Sequence, residues 1–180
     1  MIPVPDELKA KAPEISFHWV TETGGSTELS SNLPVQATDS FETCPTLDIV
    51  LLGAYRTGFV PSASELAFVA ASYETCTAFI TICAGMIPAQ LAGVLAGKTA
   101  TAPRPIVPEL KNHDPRTTWV ENKRVVRDGK LWTSGALLNG QDLMREFLRT
   151  YWPELAERPV RVGGVPDRAV EYDSSDRLFA

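Results

Sequence analysis

Two short apolar runs on either side of one amphipathic helix pattern most strongly limit the folds open to this chain. Residues 47–53 and 78–82 are apolar almost throughout, which is typical of parallel strands covered on both faces. Between them, Ser62 and Glu65 have the spacing of a capping box, and apolar side chains at helical intervals over residues 66–73 form one stripe. A strand, a helix and a second strand in this order predict a doubly wound α/β domain.

The rest of the chain continues this alternation of strands and helices. Apolar and polar side chains alternate over residues 14–21, which predicts a further strand. The other predicted elements are helices at 6–12, 85–96 and 141–151, and strands at 35–41, 117–128 and 130–134, the last two joined by a tight turn at Asp128-Gly129. We predict a single domain over residues 1–180, in which Pro153 ends the last helix and residues 153–180 form a polar surface tail.

The charge balance disfavours one large class of partner, nucleic acids. The chain has 22 Asp and Glu against 17 Lys and Arg, a formal net charge of -5, and no basic stripe, so nucleic acid binding is disfavoured. The apolar runs are far too short to span a bilayer, and Pro and acidic residues occupy the N-terminus where a secretory segment would be apolar. We therefore expect a cytoplasmic protein without a membrane partner, with Arg104, Arg116, Arg124 and Arg127 as ordinary surface charge.

The metal-binding and redox residues are few. Cys44, Cys76 and Cys83 have neither the number nor the spacing of a disulfide framework, and none belongs to a C-x-x-C pair. His18 and His113 lie far apart in the sequence, so we predict no metal site and no cofactor. We interpret His18 as a residue on the partly exposed face of a strand and His113 as a loop residue. Cys44 and Cys76 have no feature that indicates a function.

Cys83 is the best candidate for chemistry. In Thr81-Ile82-Cys83-Ala84-Gly85, a buried strand leads directly into small residues that permit a sharp turn and a following helix, as in a nucleophile elbow. A helix N-terminus favours the thiolate, so we expect the Cys83 pKa to fall below its free value of about 8.5. The Ala84 amide is placed to hold a developing negative charge. The alternative is a structural cysteine in a tight turn.

A family resemblance becomes specific at this point. Residues 79–85, followed by the glycine-rich stretch 91–101, resemble the ThiJ/PfpI family of the class I glutamine amidotransferase-like superfamily. The resemblance extends over residues 15–151 and includes a hairpin at 128–136. It implies a flavodoxin-like fold, with a doubly wound, mostly parallel sheet and helices on both faces. It also implies that Cys83 is the nucleophile and that the chain forms a homodimer.

The resemblance suggests further pocket residues. A glycine pair that supplies a backbone amide in the family is Ala54-Tyr55 here, and either residue can still donate one. Thr101 matches a family hydroxyl near the cysteine, although a threonine bonded to local backbone would explain it equally well. Asp142 also matches a family position, but we interpret it as an acidic residue in the first turn of its helix.

The family pattern begins with a strand that has no counterpart here and that carries an acidic residue beside the cysteine. We expect the neighbours of such a strand to present unpaired backbone groups that another chain covers. Some members also have a histidine where this chain has Ala84 or Pro103. A cysteine–histidine pair of the protease type is therefore not expected.

Within the family, the chain is most similar to isonitrile hydratase-like proteins. This resemblance implies a small electrophilic substrate and hydration of an isonitrile to an N-substituted formamide through a Cys83 thioimidate. The alternatives are a glyoxalase or deglycase activity that uses the same cysteine, a redox sensor with an oxidisable Cys83, or an inactive member.

Overall fold

The computed structural model describes residues 4–29, 31–54, 58–173 and 176. Its strands are β1 (Val20–Thr21), β2 (Ser26–Glu28), β3 (Pro34–Gln36), β4 (Asp39–Ser40), β5 (Ile49–Leu52), β6 (Ala78–Ile82), β7 (Thr99–Ala100), β8 (Thr118–Trp119), β9 (Val125–Asp128) and β10 (Leu131–Ser134). Its α-helices are α1 (Asp6–Lys9), α2 (Ala63–Thr75), α3 (Met86–Leu91), α4 (Val107–His113), α5 (Asn139–Tyr151) and α6 (Pro153–Val162). Short 3-10 turns occupy Cys83–Gly85 and Arg104–Ile106. None of the helices in these ranges has the length and apolar character of a membrane span.

The largest sheet has the strand order β5-β6-β10-β9. Strands β5, β6 and β10 are parallel, and β9 pairs antiparallel with β10 across the predicted turn at Asp128-Gly129. Gly129 adopts a φ of 61°, which explains why a glycine occupies that turn. The carboxyl ends of the three parallel strands therefore meet at one edge of the sheet.

Helices cover both faces of this sheet. Side chains alternate along β6, so Phe79 packs against one set of helices while Ala78 and Ile80 pack against another. The first side contains Val69 of α2, Met86 of α3 and Val107 of α4, and the second contains Leu143 and Phe147 of α5. This arrangement confirms the predicted α/β class, and the predicted capping box at Ser62 and Glu65 begins α2.

The predicted strand over residues 14–21 is wrong for most of its length. Only Val20–Thr21 forms a strand, paired with Asp39–Ser40, while Ile15, Phe17 and Trp19 are exposed. An alternating pattern forms a strand only where a partner supplies the backbone hydrogen bonds. The predicted strand at 35–41 is likewise divided between β3 and β4.

Strand β5 lies at the edge of the sheet rather than inside it. The prediction that both of its faces are covered is wrong, because Ile49 and Leu51 are 40% and 51% exposed while Val50 is buried. All three side chains belong to the apolar run that suggested full burial. The run therefore located the strand correctly but not its position in the sheet.

Several predicted boundaries also change. Helix α3 ends at Leu91 instead of residue 96, since Gly93 adopts a φ of 81° and the chain turns there. The predicted strand at 117–128 consists of the separate strands β8 and β9. Helix α4 was not predicted, and His113 is its last residue rather than part of a loop.

The segment after Pro153 is not simply a surface tail. Pro153 follows the end of α5 and begins α6, because proline is well tolerated in the first turn of a helix. Ala156 and Val160 of α6 are buried. The chain then continues as residues 165–173 and 176, which we call the C-terminal strap.

Candidate functional site

Cys83 lies at the carboxyl end of β6, where the chain bends from the strand into the 3-10 turn that precedes α3. Its φ is 56°, a left-handed conformation that is uncommon for a residue with a side chain. Such strain at the end of a strand is the geometry of a nucleophile elbow. Cys83 is only partly buried, unlike Cys76, which lies in the core.

Gly85 holds this bend against the neighbouring strand. A Cβ atom on Gly85 would overlap the carbonyl oxygen of Leu52 and lie 2.8 Å from that of Gly53. The turn therefore packs directly on the carboxyl end of β5, which only a glycine permits. This contact places the turn that contains Cys83 and Ala84 at the carboxyl end of β5.

We expect Gly85→Ala to lower the free energy of unfolding by about 1–3 kcal/mol, because the new methyl group would have to displace the backbone of β5. Urea denaturation measures this loss. Gly53→Ala is the matched control, since a Cβ atom there meets nothing within 4 Å. Equal stabilities of the two variants would show that the turn is not packed against β5.

The strand β10 brings a second group of residues to the same edge. Ile82 of β6 pairs with Ser134 of β10. Cys83 and Gly135 are the residues that follow this pair in the two strands. A Cβ atom on Gly135 would lie 3.0 Å from the Tyr172 hydroxyl and 3.5 Å from the Ala102 carbonyl oxygen. The loop after β7 and the C-terminal strap therefore approach the edge that carries Cys83.

Thr101 lies near this edge but its hydroxyl proton has a structural use. The side chain is buried and donates to the carbonyl oxygen of Val120 at 2.7 Å and of Lys123 at 3.2 Å. Its amide donates to Thr133 Oγ1 at 2.8 Å. Both acceptors are backbone groups, but they lie 19 and 22 positions away, so the hydroxyl is not bonded to the local backbone of the alternative.

The other predicted pocket residues have different positions. Ala54 is exposed directly after β5, and Ala84 is half-buried in the turn. Tyr55 lies outside the described residues. His18 Nδ1 lies 2.7 Å from Asp39 Oδ2 and His113 Nε2 lies 3.6 Å from Glu109 Oε1, so each histidine has a carboxylate neighbour.

The two other cysteines have environments that disfavour the thiolate. Burial raises the pKa of Cys76, which packs in the core below α2. Burial, and then the nearby Asp39 carboxylate, raises the pKa of Cys44. Neither residue is well ionised at neutral pH, so they are suitable controls for Cys83.

Arg124 is buried and not a surface charge, which corrects the prediction. It is 4% exposed, and its Nη1 donates to the carbonyl oxygens of Ala169 at 2.8 Å and Glu171 at 2.6 Å. Its Nη2 pairs with Asp176. The arginine therefore binds the C-terminal strap to the loop before β9.

A second buried ionic cluster binds the beginning of the strap. Asp142 in the first turn of α5 is fully buried and accepts hydrogen bonds from Arg168 Nε at 2.9 Å and Nη2 at 2.8 Å. Asn139 Nδ2 also donates to Asp142, at 3.1 Å. The buried Arg145 donates to the Arg168 carbonyl oxygen at 2.7 Å. The hydrogen bond to Asp142 raises the pKa of Arg168, so this arginine stays charged.

Tyr172 of the strap lies between two arginines. The Arg104 and Arg124 guanidinium carbons are 4.6 and 4.5 Å from its ring centroid, which is cation–π geometry. Its hydroxyl donates to Asn139 Oδ1 at 2.7 Å. Burial raises the pKa of Tyr172, so this hydroxyl keeps its proton at neutral pH. The sequence contains no periodic signal that would have identified these partners.

An apolar groove of about 440 Å³ lies between α5 and α6. Ile82, the residue before the cysteine, is in its wall, together with Leu137, Met144, Leu148 and Val160. Cys83 itself is not in this wall. The groove is therefore next to the turn, not a pocket over the sulfur.

Comparison with known proteins places these features in a family. The model of the DJ-1/PfpI family matches residues 6–150. Isonitrile hydratase from Pseudomonas putida is 29% identical over 143 residues, covering 77% of this chain and 60% of that protein. The crystal structure of a ThiJ/PfpI family protein from Pseudomonas syringae has a TM-score of 0.67 at 23% identity, covering 84% of this chain and 64% of that one. Drosophila melanogaster DJ-1beta has a TM-score of 0.65 at 20% identity, covering 79% and 78%.

These matches differ in what they establish. The chain spans 60% of the length of the Pseudomonas putida protein, so that protein's activity does not transfer directly. The solved structures confirm the predicted flavodoxin-like fold. Since the family model covers most of the sequence, including the Cys83 turn, the chain belongs to the DJ-1/PfpI family.

Proposed function

We propose that this protein is a cysteine-dependent enzyme that hydrates an isonitrile to an N-substituted formamide. The observation that carries the proposal is the strained, partly exposed Cys83 at the carboxyl edge of the sheet, where α/β folds bind ligands. The similarity to the Pseudomonas putida isonitrile hydratase supports this choice of substrate.

The reaction divides one difficult addition into two easier steps. The Cys83 thiolate bonds to the terminal carbon of the isonitrile, and the proton released from the thiol is returned to that carbon, which gives a thioimidate. Water then adds to the same carbon, and the carbon–sulfur bond breaks. The products are the formamide and the free thiol, so no oxidant or reductant is consumed.

The direct test is to mix the purified protein with an alkyl isonitrile and to follow the formamide by mass spectrometry. We expect turnover of the isonitrile, with methylglyoxal as the comparison substrate for a glyoxalase activity. If the protein converts methylglyoxal but not the isonitrile, the proposed substrate is wrong and a glyoxalase activity takes its place. No turnover of either compound by folded protein would contradict the enzyme assignment.

Sedimentation equilibrium on the same sample measures whether the chain is the expected homodimer.

A further inference from the structure

Arg104 is a basic residue at the same sheet edge as Cys83. It begins the 3-10 turn two residues after Ala102, whose carbonyl oxygen approaches Gly135. Gly135 follows Ser134, which pairs with the residue before Cys83. The chain path therefore brings residue 104 toward the edge that carries Cys83, and the Tyr172 ring under its guanidinium has its hydroxyl near Gly135.

The Arg104 guanidinium is held in place but incompletely bonded. Its Nη1 donates to the Asp176 carbonyl oxygen at 2.8 Å, and its face covers the Tyr172 ring. Its Nε is shielded from solvent and has no hydrogen-bond partner in the described part of the chain. Arg124, on the other side of Tyr172, bonds to a carboxylate, whereas no ion pair of Arg104 occurs among the described residues. Within the described ranges, Arg104 therefore has an unused donor and no carboxylate partner.

A second unused hydrogen-bonding group lies at this edge. Ser134, the last residue of β10, is fully buried, and its Oγ has no hydrogen-bond partner within the described ranges. Buried polar groups are nearly always paired, because desolvation without a partner is costly. Two unpaired groups in the segments that lead to this edge suggest that a ligand supplies the acceptor.

We propose that Arg104 binds a carboxylate of the substrate, so that the substrate class is a small electrophile, such as an isonitrile, that also carries a carboxylate. A carboxylate accepts charge-assisted hydrogen bonds from a guanidinium, and the Ser134 hydroxyl can donate to the same ligand. One arginine without a carboxylate partner among the described residues suits a single negative charge better than the two charges of a phosphate. The identity of the electrophile rests on the proposed function, whereas the preference for an anion does not.

The anion preference can be measured without turnover. Iodoacetate and iodoacetamide alkylate cysteine in the same way but differ in charge. The rate with iodoacetate divided by the rate with iodoacetamide at Cys83 therefore reports the local positive charge. We expect Arg104→Met to lower this ratio about fivefold or more, since it removes the cation and keeps a side chain on Tyr172. Peptide mass spectrometry separates Cys83 from Cys44 and Cys76.

Two further variants make the result specific. Arg116→Met, at an arginine with a 70% exposed side chain, should leave the ratio unchanged, and Arg104→Lys should retain most of it. Salt should lower the ratio in the wild type, because it screens the attraction between iodoacetate and Arg104. This measurement needs no variant, so it remains valid if Arg104→Met fails to fold. An unchanged ratio in Arg104→Met, or an equal loss in Arg116→Met, would overturn the inference.

The substrate class is tested separately with isocyanoacetate and its neutral methyl ester. We expect wild type and Arg116→Met to prefer the carboxylate and Arg104→Met to lose that preference. Hydration of the ester alone by wild type would contradict the carboxylate site. If neither compound reacts, the proposed function fails, whereas the alkylation ratio still decides whether Arg104 favours an anion.

Discussion

Replacing Cys83 by serine is expected to lower isonitrile turnover by at least about a thousandfold, because the hydroxyl is a far weaker nucleophile than the thiolate at neutral pH. The side chains have nearly the same shape, so the strained turn at φ 56° should be retained. Formamide production by the wild type and the variant, at equal concentrations of folded protein, measures the effect.

Cys44→Ser is the matched control, because Cys44 is also partly exposed and its Sγ donates only to the neighbouring Pro45 carbonyl oxygen among the described contacts. We expect its turnover to stay within about twofold of wild type. Rapid quenching of the wild type should also show a thioimidate adduct on the peptide that contains Cys83. A Cys83→Ser variant that keeps its turnover would exclude the covalent mechanism.

The turn that carries Cys83 could be predicted from the sequence because its causes are local. A buried strand, a cysteine and a glycine are adjacent in the chain, and the structure gives each the expected place: Ala78–Ile82 is the strand, Cys83 the strained residue and Gly85 the packing contact with β5. The helix that follows was overestimated in length, since Gly93 ends it early.

The surroundings of that turn could not be predicted in the same way. Arg124 is buried because carbonyl groups 45 and 47 positions away accept its hydrogen bonds, and such contacts leave no periodic pattern in the sequence. The Tyr172 hydroxyl similarly bonds to Asn139, 33 positions away. Apolar periodicity reports which face of an element is covered, but the strap is held by polar contacts, so composition suggested only a surface tail.

The same reasoning explains the errors near the N-terminus. Residues 14–21 alternate and the β5 run is apolar, but both patterns are properties of side chains. Neither pattern shows which strand, if any, pairs with the segment. Phe17 is 76% exposed and Leu51 is 51% exposed, so these segments lack the cover that their patterns indicate. Strand pairing is a long-range property that the sequence of one strand does not contain.

The buried carboxylate of Asp142 gives the largest stability prediction. It accepts both nitrogens of Arg168 in a bidentate pair, and Arg145 Nη1 lies 3.6 Å from its Oδ1. Asp142 and Arg145 are 0% and 1% exposed, so water cannot replace the carboxylate. Removing one member of such a cluster leaves a buried charge without its partner.

We therefore expect Asp142→Ala to lower the free energy of unfolding by about 3–5 kcal/mol, and Tm by roughly 10 °C. Asp142→Asn should lose much of the same stability, because it keeps the volume but not the charge. Glu157→Gln is the control: Glu157 bonds to Arg149 at 2.9 Å with a 51% exposed side chain, and exposed pairs contribute about 1 kcal/mol or less. Urea denaturation of the three variants compares them directly, and limited proteolysis shows whether the strap has detached. If Asp142→Ala were as stable as Glu157→Gln, the cluster would not be what holds the strap beside the Cys83 turn.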